Sequence, residues 1–147
     1  MSQKIDQAFT TAMLAANLDV DLVHGNGVWS YWNGTAYVTN MGPYTPTAGR
    51  EYIELAVFPA GKAVQSLATT DEAVGAFQAI VRYPSDTGTF AAVELAEAVL
   101  GVLKIGTILT YSGQRVHITN NERSQGVSEG SFYLITVRAL YRAYTPR

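Results

Sequence analysis

Apolar residues recur along this chain with two different periods, and the changes of period divide it into elements. Ile5, Phe9, Ala12, Met13 and Ala16 repeat at helical spacing behind Ser2, a candidate N-cap, and predict a helix over residues 3–16. From residue 20 the pattern turns to short alternating runs, first "DVDLVHGNG", closed by glycines. In "VWSYWNGTAYV" the pair Asn33-Gly34 sits between two aromatic segments; Asn-Gly suits a two-residue type I′ turn and predicts a hairpin over residues 28–39. The loop "TNMGPYTPTAGR" follows, then "EYIELAVFPA" as a strand ended by Pro59, and "GKAVQSLATTDEA" as an exposed connection. "VGAFQAIVRYP" reads as a long strand closed by Pro84. After the turn "SDTG", Thr89 is the candidate N-cap of a helix to about residue 103, stopped by Gly106. "TILTY" and "RVHIT" flank Ser112-Gly113, a second hairpin signal, and "NNERSQGVSEG" reads as a polar loop. "SFYLITVRALYRAY", residues 131–144, is a strand about twice the usual five or six residues.

Two helices among these strands, mostly joined by hairpin-like links, predict an α+β fold. It has an antiparallel or mixed sheet, two helices on one face, and the aromatic hairpin in addition. Two segments ask for more cover than such a domain provides. In the second helix the ionisable residues Glu94, Glu97 and Lys104 share one thin line with Gly101, while Phe90, Val93, Leu95, Ala96, Val99, Leu100, Val102 and Leu103 surround it. Either sheet and first helix cover that surface together, or a neighbouring subunit takes part. In the closing strand one register is apolar, Tyr133 to Ala143 at every second position, and the other sets Arg138 and Arg142 among Phe132, Leu134, Thr136 and Leu140. A strand this long is expected to protrude from its sheet, with an edge for a partner to pair.

Composition narrows the chemistry. A chain of 147 residues is the size of one ordinary domain, and residues 1–147 are read as one unit, with 28–39 as a hairpin insertion. The absence of cysteine excludes a disulfide framework and thiolate chemistry and fits assembly in a reducing cytosol. The first residues carry no basic-then-apolar leader, and no apolar run approaches a membrane span, so neither secretion by a signal peptide nor membrane insertion is expected. The net charge of −2 hides an asymmetry: residues 1–97 carry four basic against ten acidic side chains, residues 98–147 six against two. Acidic and basic faces that meet on neighbouring copies, a basic edge facing nucleic acid, and simple intermixing in the fold would all produce it.

His24 and His117 are isolated in predicted strands, a structural setting for histidine. Phosphate-cradling loops, metallopeptidase spacings and nucleophile elbows are missing. The close carboxylates Asp19/Asp21 and Asp71/Glu72 lie in loops, and Glu94/Glu97 form the polar line of the helix. No catalytic residue, cofactor or metal site is expected, and the chain reads as a non-enzyme. Trp29, Tyr31, Trp32 and Tyr37 alone have binding character. Strand geometry puts Trp29 and Tyr31 on one face and Trp32 on the other, suiting packing on the domain itself or on a partner protein, or stacking on sugars or bases. Candidate subunit-interface residues are Arg138, Arg142, Glu94, Glu97, Trp29 and Trp32.

Four stretches in this order, "IDQAFTTAMLAA", "PYTPTAGREYIELAVFPA", "GAFQAIVRYPSDTGTFAAVELAEAVLGVL" and "FYLITVRALYRAY", resemble the tail terminator proteins of bacteriophages with long non-contractile tails. The resemblance covers about two-thirds of the chain and departs from the family's usual compact connection at the aromatic hairpin. It implies a ring of self-associated copies, six in number, that caps the head-proximal end of the tail tube, ends its polymerisation and offers a surface for head joining. The implied partners are the tail tube protein and a head-completion or connector protein, with DNA passing through the lumen without specific binding. The implied location is the virion tail and neck, after assembly in the host bacterial cytoplasm. Another neck, head-closure or tail-tube subunit is the alternative of the same kind, and a small aromatic-rich carbohydrate-binding module is one of a different kind.

Overall fold

The computed structural model describes residues 3–16, 18–24, 28–45, 50–64, 70–84 and 90–146. Helix α1 (Gln3–Ala15) leads into β1 (Asp21–His24), β2 (Val28–Trp32) and β3 (Tyr37–Met41). The long strands β4 (Tyr52–Val64) and β5 (Thr70–Pro84) precede helix α2 (Phe90–Val102), and β6 (Ile108–Tyr111), β7 (Gln114–Arg123), β8 (Val127–Glu129) and β9 (Phe132–Pro146) complete the chain. The sheet order is β3-β2-β1-β4-β5-β9-β7-β6, with β8 paired to the stretch of β9 that β7 leaves open. β1 and β4 run parallel and the other pairs antiparallel. The result is the α+β fold with a mixed sheet that the sequence pattern predicts.

β5 and β9 pair over their whole lengths without a slip, so their odd-numbered residues share one face. That face carries Phe77, Ala79, Val81, Ile135, Val137, Ala139, Tyr141 and Ala143, all buried. Helix α1 lies over β6 and β7, the two strands beyond β9 in the sheet, and buries Ile5, Ala8, Phe9 and Met13, one stripe at helical spacing. The Phe9 ring stacks on Phe77 with centroids 4.4 Å apart, and Phe77 on Tyr141 at 4.6 Å, joining helix to the two central strands. Each such side chain fully buried contributes about 1.5–3 kcal/mol, and each ring pair about 0.5–1.5 more. Helix α2 packs on β9 and β5, next to α1, with Ala92, Ala96, Val99 and, just past its end, Leu103 buried. The two alanines let it approach closely. Asn121 Nδ2 donates to the Leu103 carbonyl at 3.0 Å, satisfying one of the acceptors that a helix end leaves open.

Several expectations need correction. β4 runs through Pro59 to Val64 and β5 starts at Thr70, so much of the presumed connection is strand; its middle, residues 65–69, lies outside the described residues. β7 continues to Arg123 and β8 occupies 127–129, where a loop was expected. β9 is no protruding edge: β5 flanks it throughout, and β7 and β8 share its other side. The aromatic hairpin closes through a four-residue loop, with Asn33 N–H bonded to the Ala36 carbonyl at 3.0 Å and Asn33 Oδ1 accepting from the N–H groups of Thr35 and Ala36. The two-residue turn with positive φ at both positions occurs instead at Ser112 (50°) and Gly113 (85°). The candidate caps Ser2 and Thr89 lie outside the described residues.

Candidate functional site

The helices occupy one face of the sheet and leave the other bare of helix, and the predicted charges divide between them. On the helix-free face, the even-numbered residues of β9 present Arg138, Leu140 and Arg142, all exposed. They line a groove of about 370 Å³ together with Phe58, Ala76 and Thr119. Bulges border the groove on both sides: the β4–β5 register shifts between Pro59 and Gly61, and the β7–β9 register between Ile118 and Asn120. Bulges bend the strands that carry them. Thr119, the extra residue of the second bulge, donates its hydroxyl to the Leu140 carbonyl at 3.3 Å. Beneath the groove, a Cβ on Gly75 would lie 2.5 Å from the Phe58 carbonyl and 2.6 Å from Tyr141 Oη, so only glycine fits. Burial raises the Tyr141 phenol above its ordinary value, with the Asp6 charge adding to the effect.

Glu94 and Glu97 stand on the outer line of α2 with Ala98 and Gly101, all exposed. Arg123, at the end of β7, reaches Glu97 at 3.5 Å. Phe90 starts the same line with 78% of its surface exposed. Within one copy, then, the helix is covered on its sheet side and flanks and bare along this line. Glu94 and Glu97 thus lie on the opposite side of the sheet from Arg138 and Arg142.

The tryptophans separate as strand alternation demands. Trp32 packs edge-on to Tyr37 at 5.3 Å on the helix-bearing side, where Tyr37 Oη donates to the Val20 carbonyl at 2.7 Å. Trp29 faces the other way and belongs to a ladder of rings: Tyr31 at 5.7 Å, Tyr44 at 5.2 Å, then Tyr44–Tyr52 at 5.1 Å and Tyr52–Phe132 at 5.6 Å. Tyr44 donates to Asp21 Oδ2 at 2.7 Å, and burial followed by that bond raises its phenol far above the ordinary value. Arg82, between Glu54 and Glu129, pairs with both at the foot of the ladder. The rings meet edge-on or tilted and form no flat platform of two tryptophans. Tyr44, Tyr52 and Phe132 gave no sign of this cluster in the sequence because only the tertiary fold brings three distant segments together; alternation in Tyr52-Ile53-Glu54 was the one local signal.

The histidines are structural in placement. His24 Nε2 bonds to Ser30 Oγ at 3.0 Å and Ser30 to Thr39 Oγ1 at 2.9 Å, while burial lowers the imidazole below its ordinary value against the opposing pull of Asp6. His117 lies on the other face, its ring 6.5 Å from Tyr144. Among the described residues no cluster of three or more His, Cys, Asp or Glu side chains is placed to hold a metal ion, and no helix is long and apolar enough to cross a membrane.

A family model described as phage tail terminator protein matches residues 29–141, from β2 to Tyr141 within β9. Among solved structures, one chain superposes with a TM-score of 0.69 at 17% identity, covering 95% of this chain and 92% of its own length. Another, from the virion of a native gene transfer agent particle, superposes with a TM-score of 0.61 at 19% identity, covering 99% of this chain and 97% of that one. Both likenesses are of fold. Comparison with curated proteins gives no significant sequence match.

Proposed function

Because this chain belongs to the phage tail terminator family, structural proteins of the bacteriophage virion, we propose that copies of it close into a ring on the head-proximal end of the tail tube. The ring stops the tube from growing and gives the head its joining surface. Its members are expected to number six, and its lumen passes DNA without reading it. The mechanism is steric: once the terminal tube ring is covered, the next tube subunit has no surface to add to, and no bond is made or broken. Assembly takes place in the cytoplasm of the host bacterium.

The observation that carries this reading is the family match over residues 29–141, which takes in α2 and the groove residues up to Tyr141. The surfaces are consistent with it. One copy leaves an apolar aromatic on α2 and an arginine-lined groove on opposite sides of one sheet. A cyclic assembly requires two different patches per copy.

Deleting the gene from its phage tests the proposal. The expected result is tubes that overrun their normal length and stay unjoined to filled heads, restored by supplying the chain in trans. Virions of normal tail length and infectivity without it would overturn the assignment.

A further inference from the structure

We propose that the bare line of α2 on one copy seats in the groove between the two bulges on the next copy, and that this contact, repeated, closes the ring. The inference rests on the ring reading above and names the surfaces that make it. The two surfaces lie on opposite sides of the same sheet, so no copy makes the contact with itself and the only repeat is head to tail.

Each surface offers what the other lacks. Phe90 is 78% exposed at the start of the line, while Phe58 and Leu140, at 48% and 40%, offer apolar surface in the groove. Those rings and methyls supply the affinity, since burying them removes surface that one copy leaves in water. Glu94 and Glu97 bring carboxylates where the groove brings the guanidinium groups of Arg138 and Arg142. Local charges temper both sides: Arg123 lies 3.5 Å from Glu97, and Glu122 stands opposite Arg138 in the β7–β9 register. Opposite sign therefore sets orientation and encounter rate more than it adds affinity. Ala98 and Gly101 continue the line without bulk that would hold the sheet away.

A charge-swap complementation tests it. One chain carries Arg138→Glu with Arg142→Glu, the other Glu94→Lys with Glu97→Lys, and mass in solution is measured against concentration, with tail tubes added as a template where the free chain does not assemble. Each variant alone should need about tenfold more protein than the wild type to assemble, while melting as a folded chain. A one-to-one mixture should regain the wild-type oligomer, because in an alternating ring every reversed groove meets a reversed helix and every native groove a native one. If a reversed chain fails to fold, Arg138→Gln and Glu94→Gln carry the same comparison with a smaller shift. Variants that assemble at the wild-type concentration would overturn the inference and leave the ring standing; the arginines would then face another occupant, such as DNA in the lumen. A mixture that stays dissociated would also overturn it. A wild-type chain that stays monomeric even on tail tubes would overturn the ring reading, and this inference with it.

Discussion

Gly75 shows how tightly the central strands are built, because its missing side chain is the space that Tyr141 and the β4 backbone occupy. Gly75→Ala puts a methyl 2.5 Å from the Phe58 carbonyl and 2.6 Å from the phenol oxygen. Relieving it must shift either the bulge of β4 or the ring stack of Phe9, Phe77 and Tyr141. Overpacking of this kind costs about 1–3 kcal/mol, to be read as a lower midpoint in urea. His24 makes a second residue-scale prediction. Its imidazole is held below the ordinary 6.5 by burial, so protonation favours the unfolded chain. Its contribution to stability is complete above pH 6.5 and is lost as pH falls through 6.5 towards the lowered value. Urea melts at about pH 7.5 and 5.5 should show that loss, and His24→Gln should shrink the difference.

At the scale of elements, α2 closes the core over β9 and β5. Val99→Asp buries a carboxylate between helix and sheet, at a cost of several kcal/mol against a typical total stability of about 5–15. The variant is expected to lose soluble folded protein, and a soluble form with an unchanged melting temperature would take α2 out of the core. Local signals did make most of this layer legible. Both helices and the apolar register of β9 follow from period alone, and Arg138 and Arg142 fall on the exposed register as read. Legibility ended where strand pairing decides the outcome. Pro59 looks like a terminator because it brings no N–H to a ladder, yet it sits at the β4 bulge, on a stretch of β4 that among the described residues has no strand on its outer side, a place where a sheet tolerates proline. The polar run after Thr119 looks like a loop, yet the bulge at that residue lets Asn120 to Arg123 keep pairing with β9. The groove, which needs both bulges and four strands, has no local signal at all.

For the whole molecule, Glu94 and Glu97 on the outer line of α2 and Arg138 and Arg142 in the groove stand on opposite sides of one sheet, while the other charges of the two halves intermix on both. If those faces meet between copies, raising salt should slow ring formation by the wild type, since exposed charges are screened beyond about 10 Å at 0.1 M. Light scattering after dilution across a salt series would read the rate. The central claim concerns place as much as association: a terminator acts at one end of one tube. Electron microscopy of tail tubes mixed with gold-labelled chain tests that most directly. The account predicts label at a single end of each tube, the end that joins the head, and no further growth there when tube protein is added; label along the length, at the opposite end, or absent would contradict it.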